Sequence, residues 1–240
     1  SKQKPYKTVS KALSQCTETG TPYTIFVDGT IEETVTLDIP SGKKVTIESL
    51  RKATIPAVIH DNRPNPTAEQ CLVTTAGTLT LDGIALEGMI TGLPGTPHAV
   101  SGQEAFGIKQ TGGAVTAKGG NMAIKNFSHG VKIEGGTFTM EAGSICYNYS
   151  NGNSGVDIRG GAFILNGGSI EENEAVNHAG VHISGGTFTM NGGEISENKA
   201  RCFGGGIAVY GGTVEISGGT IKNNRAAART YGSSPYEDVG

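Results

Sequence analysis

The chain has 240 residues, 38 of them glycine, and only 17% are charged, with a formal net charge of -3. Glycine is about twice its usual share of roughly 7% and charge is well under the typical ~25%, which calls for many tight turns and little long exposed helix. No run of five or more Lys or Arg occurs and no apolar stretch approaches the ~18 residues that span a bilayer, so nucleic acid, anionic membrane and a membrane span are excluded as readings.

Residues 1–22 read as an N-terminal cap helix and opening segment. Val9, Ala12, Leu13 and Cys16 recur at i, i+3, i+4 and i+7, which puts them on one face of a helix ending near Gly20. Such a helix covers an open end whose strand edges invite aggregation. Residues 23–224 then read as strands. Thr24-Ile-Phe-Val27, Thr34-Val-Thr-Leu37 and Val45-Thr-Ile-Glu-Ser49 are expected to form an opening coil, and Leu72-Val-Thr-Thr75 with Thr78-Leu-Thr-Leu81 another. Polar, proline-containing excursions at 61–70 and 91–104 interrupt this half. Cys16, Cys71, Cys146 and Cys202 form no CxxC and no zinc spacing with the histidines, so buried free thiols are expected.

The second half repeats itself. Gly-Gly pairs begin at 135, 160, 185 and 211, spaced by 25, 25 and 26 residues, with a weaker copy at Gly112-Gly113. Each period holds three short alternating stretches bounded by glycine: Gly-Val-x-Ile, Thr-Phe-Thr-Met, and a third such as Glu194-Ile-Ser-Glu-Asn198. Paired helices would lose about 1 kcal/mol at every such glycine, so a helical solenoid is excluded. Three strands per turn stack into an all-β, right-handed, three-sheet parallel β-helix filled by columns of like side chains.

Five apolar columns are predicted. They are Val131, Val156, Val181, Ile207; Ile133, Ile158, Ile183, Val209; Phe138, Phe163, Phe188, Val214; Met140, Leu165, Met190, Ile216; and Ile145, Ile170, Ile195, Ile221. Residues between them are expected to face solvent. A polar column, Asn148, Asn173, Asn198 and Asn224, follows the last by three residues, and Asn126 joins it if a one-residue bulge is allowed. Asparagine suits left-handed turns, and stacked amides hydrogen-bond from coil to coil, so the column reads as a structural ladder. Residues 225–240 read as a C-terminal tail, and the protein as a monomer or part of a longer chain.

These columns resemble the pectin-lyase-like superfold over about residues 7–224, and Tyr23-Thr-Ile-Phe-Val-Asp-Gly-Thr30 is similar to the opening of secreted bacterial β-helices. The repeats are also distantly similar to polymorphic outer-membrane passenger repeats, since Gly204-Gly-Gly-Ile207 approaches their Gly-Gly-Ala-Ile motif. Their Phe-x-x-Asn motif has isoleucine here, at Ile145, Ile170, Ile195 and Ile221. The resemblance implies a bacterial protein, an extracellular or cell-surface setting and contact with polysaccharide or a host surface glycan. It does not imply catalysis.

Outward positions on the Gly-Val-x-Ile strands form two lines: Lys109, Lys132, Asp157, His182, Ala208, and Thr111, Glu134, Arg159, Ser184, Tyr210. Lys132, Asp157, Arg159 and His182 are the candidate catalytic group, a proton carrier beside cations that neutralise a uronate. The expected cross-coil pairs are Lys132 with Asp157, Asp157 with His182, and Glu134 with Arg159. Lys109, Glu134, Tyr210, Arg201 and His178 are candidate binding residues. The turns 149–154, 174–179 and 199–205 and the 91–104 excursion are expected to rim this face with Tyr149, His178, Arg201 and His98. A lone acidic residue between cations gives no metal site, and no metal or cofactor is expected. The first functional reading is a non-catalytic bacterial surface or secreted segment that presents a binding surface, for glycans or adhesion. The second is a polysaccharide lyase or glycoside hydrolase acting on an acidic polysaccharide.

Overall fold

A computed structural model describes residues 5–51, 57–63, 70–89 and 105–227. The chain winds as an all-β parallel solenoid of about seven turns. Three long sheets run along it. One has eight strands, from Pro22–Val27 to Thr213–Ile216, and carries the phenylalanines; a second has eight, from Thr30–Glu33 to Thr220–Lys222, and carries the isoleucines. The third has seven, from Leu37–Ile39 to Ile207–Val209, and carries the Val-x-Ile motif. A short fourth sheet joins Tyr149–Ser150, Glu174–Ala175, Lys199–Ala200 and Arg225–Ala226.

All five predicted columns stack in register. Val131 pairs with Val156, Val156 with Val181 and Val181 with Ile207, and the Ile133 column runs alongside. The Phe138 and Met140 columns share the first sheet, and Ile145, Ile170, Ile195 and Ile221 lie on the second. From Val131 to Ile195 no member is more than 1% exposed. Phe138 and Phe163 stack with ring centroids 5.1 Å apart, and Phe163 and Phe188 lie 6.0 Å apart. Burial of each such ring contributes about 1.5–3 kcal/mol.

Above Ile133 the second column turns polar. Gln110 and Thr75 fill the interior there, and the Gln110 amide donates to the carbonyls of Gly112, Gly113 and Thr137 at 3.1, 3.3 and 3.1 Å. The coil corners explain the glycine content. Gly161 bends left-handed at φ +65°, and a Cβ there would meet the carbonyl oxygen of Gly136 in the preceding coil at 2.3 Å. Conformation and close approach both require glycine at that corner.

The Asn ladder exists and is interior. Each Oδ1 accepts both the backbone N–H and the side-chain amide of the asparagine one coil earlier: Asn148 donates to Asn173, Asn173 to Asn198 and Asn198 to Asn224, each amide at 2.9 Å. The remaining amide proton goes to a main-chain carbonyl, of Ile124, Ile145, Ile170 and Ile195 in turn. Two expectations need correction. Positive φ belongs to the residue before each ladder asparagine, namely Tyr147, Glu172, Glu197 and Asn223. Asn126 occupies that bend, at φ 61°, and donates to Glu87, while Phe127 stands at the ladder position and gives its N–H to Asn148.

The opening coil is also partitioned differently. Its strands are Pro22–Val27, Thr30–Glu33 and Leu37–Ile39, and Lys44–Ser49 already begins the second coil by pairing with Pro22–Val27. The helix is short, Val9–Leu13, because its end tightens into bonds from Gln15 to Ala12 and Cys16 to Leu13. Thr8 caps it, the buried Glu33 carboxylate accepts the N–H groups of Val9 and Ser10, and Val9 and Leu13 pack on the core. Arg225–Ala226, assigned to the tail by sequence, pairs with Lys199–Ala200. All four cysteines are free; Cys71 and Cys146 are buried, whereas Cys16 and Cys202 are partly exposed.

Candidate functional site

Both outward lines on the Val-x-Ile sheet are in register. Lys109 pairs with Lys132, Lys132 with Asp157, Asp157 with His182 and His182 with Ala208. The expectation that such positions face solvent fails for three of them: Lys132 is 4% exposed, Asp157 2% and Ala208 8%. The charge pairs also differ in part from the expected ones. Asp157 Oδ1 takes His182 Nδ1 at 2.7 Å, as expected, but its Oδ2 takes Arg159 Nε at 2.9 Å from two residues along its own strand. Both carboxylate oxygens are thereby occupied, and Lys132 turns to Glu134 at 3.0 Å on its own strand. Lys109 reaches the same carboxylate at 3.6 Å, so Glu134 sits between two ammonium groups rather than with Arg159.

The candidates therefore separate into three groups. Lys109, Lys132 and Glu134 form the first, with Lys132 Nζ 5.2 Å from the Phe106 ring centroid and Phe106 stacked on His129 at 4.5 Å. Arg201 lies apart, 3.4 Å from Glu174 and 3.4 Å from the Tyr149 hydroxyl. The third group contains Asp157, Arg159, His182, His178 and Tyr210. His98 lies outside the described residues.

Four rings converge in the third group. His178 stacks on His182 at 4.6 Å and on Phe203 at 5.7 Å, and Tyr210 meets His178 edge-on at 5.1 Å. The Asn153 side chain spans the imidazoles, 2.7 Å from Nδ1 of His178 and 3.0 Å from Nδ1 of His182, and His178 Nε2 lies 3.0 Å from the Tyr210 hydroxyl. A parallel bridge between Asn153 and His178 sets the two turns against each other. Phe203 and Tyr210 remain 55% and 63% exposed, above a buried Asp157. Sequence reasoning missed Asn153 and Phe203, although both stand 25 residues from His178 and the repeat period could have aligned the three.

The electrostatics follow from burial and neighbours. Burial pushes the Asp157 carboxyl up, but the His182 hydrogen bond and the Arg159 charge outweigh it and hold the group below its ordinary value. Glu134 behaves likewise: burial raises it, and Lys132 and Lys109 together bring it below the usual range. Burial, with His182 adjacent, lowers His178. His129, buried against Phe106 with its Nδ1 unpartnered among the described residues, is lowered by burial to about 4.

Among the described residues no group of three or more His, Cys, Asp or Glu is arranged to hold a metal ion, and no helix is long and apolar enough to cross a membrane. Two surface cavities lie elsewhere. One, about 280 Å³, lies between the helix and Leu37–Ile39; the other, about 240 Å³, is lined by Glu172, Glu174, Glu197 and Lys199. Comparisons with protein-family models, with curated proteins and with solved structures return no match for this chain.

Proposed function

We propose that the chain is part of a bacterial cell-surface or secreted β-helix of the pectin-lyase-like kind, and that it presents a binding surface for acidic glycans. The observation that carries this reading is the pair of exposed rings, Phe203 and Tyr210, on the same face as the exposed Arg159, which shares Asp157 with His182. Aromatic faces cover the apolar side of a sugar ring, and a guanidinium pairs bidentately with a carboxylate or sulfate. Stacked coils hold these groups rigidly, which reduces the ordering cost of binding. The patch relies on Phe and Tyr alone, since the chain has no Trp. Cleavage of an acidic polysaccharide by Lys132, Asp157, Arg159 and His182 acting together is disfavoured, because Lys132 is buried and committed to Glu134.

The test is a glycan array followed by titration calorimetry on the best acidic and neutral hits. Binding of an acidic oligosaccharide that weakens about tenfold or more, roughly 1.4 kcal/mol, in Phe203→Ala/Tyr210→Ala supports the reading. Binding indifferent to that double substitution and to Arg159→Ala overturns it.

A further inference from the structure

The third group contains more than a binding surface needs. Asp157 is buried, holds Nδ1 of His182 at 2.7 Å, and is itself held by Arg159. The His182 ring packs against both His178 at 4.6 Å and Tyr210 at 5.5 Å, which also meet each other at 5.1 Å. Its Nε2 has no hydrogen bond among the described residues, and neither have the terminal nitrogens of Arg159. A carboxylate that accepts a hydrogen bond from Nδ1–H, beside the Asn153 side chain 3.0 Å from the same nitrogen, leaves the Nε2 lone pair free. That combination of an oriented base and an adjacent cation is what acyl transfer to water requires. It is not a glycosidase pair, because only one carboxylate reaches the His178, His182 and Tyr210 cluster among the described residues.

We propose that Asp157 and His182 form a general-base dyad that hydrolyses ester groups on a glycan bound at this patch. The substrate class rests on the glycan reading above; the chemistry does not. His182 Nε2 takes a proton from water as the water oxygen bonds to the ester carbonyl carbon. The tetrahedral oxyanion forms against the Arg159 guanidinium. The carbon–alkoxide bond then breaks, and the departing sugar oxygen takes the proton back from His182, so acid and alcohol leave without any other reactant. His182 is the catalytic residue, Asp157 and His178 are positioning residues, and Tyr210 walls the site.

The chain carries its own control. His60 pairs with Glu32 at 2.8 Å on another sheet, a carboxylate–imidazole contact that among the described residues has no flanking ring and no arginine on the acid. The experiment is hydrolysis of 4-nitrophenyl acetate and acetate release from acetylated xylan and acetylated pectin by the full chain. His182→Gln is expected to lose about 100-fold or more in rate while His60→Gln matches the parent. Asp157→Asn is expected to lower the rate and move the acid limb of the pH–rate profile, which a purely structural contact would not do. Circular dichroism and thermal melts check that the variants fold. Parent activity no greater than buffer, equal losses in the His182 and His60 variants, or release of unsaturated uronate in place of acetate overturns the proposal. Ester hydrolysis without glycan affinity would sink the binding reading alone, and affinity without hydrolysis would sink the dyad alone.

Discussion

Asn173 gives its side-chain amide to Asn198 Oδ1 at 2.9 Å, one coil away, in an interior where neither residue is exposed. Each ladder asparagine thus acts as one extra peptide group, with an acceptor toward one neighbouring coil and a donor toward the other. Asn173→Ala strands the N–H and amide of Asn148 and the carbonyl of Ile145. Each orphaned buried group costs about 1–3 kcal/mol, so a loss of about 3 kcal/mol or more is expected in denaturant titration. Asn166 is the control: it sits in an exposed chain with Glu141 and Asn191, and Asn166→Ala should change stability by no more than about 0.5 kcal/mol.

Phe163 lies between Phe138 and Phe188 at full burial. Phe163→Ala removes two ring contacts and opens a cavity that coils locked in register cannot close. A loss of about 3–5 kcal/mol is expected, read as a lower denaturant midpoint at unchanged slope. A marked change in slope instead would mean that the coils unfold separately.

Two glycines separate conformation from contact. Gly29 has φ +75° with open space where a Cβ would stand, so Gly29→Ala should cost only the left-handed penalty of about 1–2 kcal/mol. Gly161→Ala adds the collision with the Gly136 carbonyl, and its melting temperature is expected to fall well below that of Gly29→Ala. Equal melting temperatures would show that the coil spacing relaxes to admit the methyl group.

Stability should fall as the solution is acidified from pH 6.5 toward 4. His129 titrates near 6.5 when unfolded and about 4 when folded, so within that window the unfolded chain binds the extra proton. Its contribution is complete above pH 6.5 and is lost as pH falls to 4, a change on the order of 3 kcal/mol. His178, also lowered, acts in the same direction. His129→Phe preserves the stack on Phe106 and should flatten the melting temperature between pH 6.5 and 4. An unchanged slope would show that His129 is not the group responsible.

The columns were legible in the sequence because a strand alternates every two residues and a coil repeats every 25, so Phe138, Phe163 and Phe188 could be aligned without coordinates. The Asn126 assignment failed where that period changes. Gly112 and Gly135 are 23 residues apart, and the shorter coil brings Phe127 to the ladder position, leaving Asn126 on the bend. Among the charges, register alone predicted Asp157 with His182. It did not reveal that Arg159 would claim the other oxygen of Asp157 from the same strand, which leaves Lys132 to Glu134. Asn153 and Phe203 lie one period of 25 on either side of His178 and were legible by that spacing, but their unlike side chains in turns hid the alignment.

Tyr147, Glu172, Glu197 and Asn223 hold φ between 51° and 54° although none is glycine, each just before a residue of the amide ladder. Their side chains point out at one corner of successive coils, roughly 4.8 Å apart along the axis. The backbone there is dictated from inside, so the outer group can change without altering the shape. Cysteines, dyes or charged tags placed at these four positions would stand in a straight row at known spacing, which makes the corner a molecular ruler.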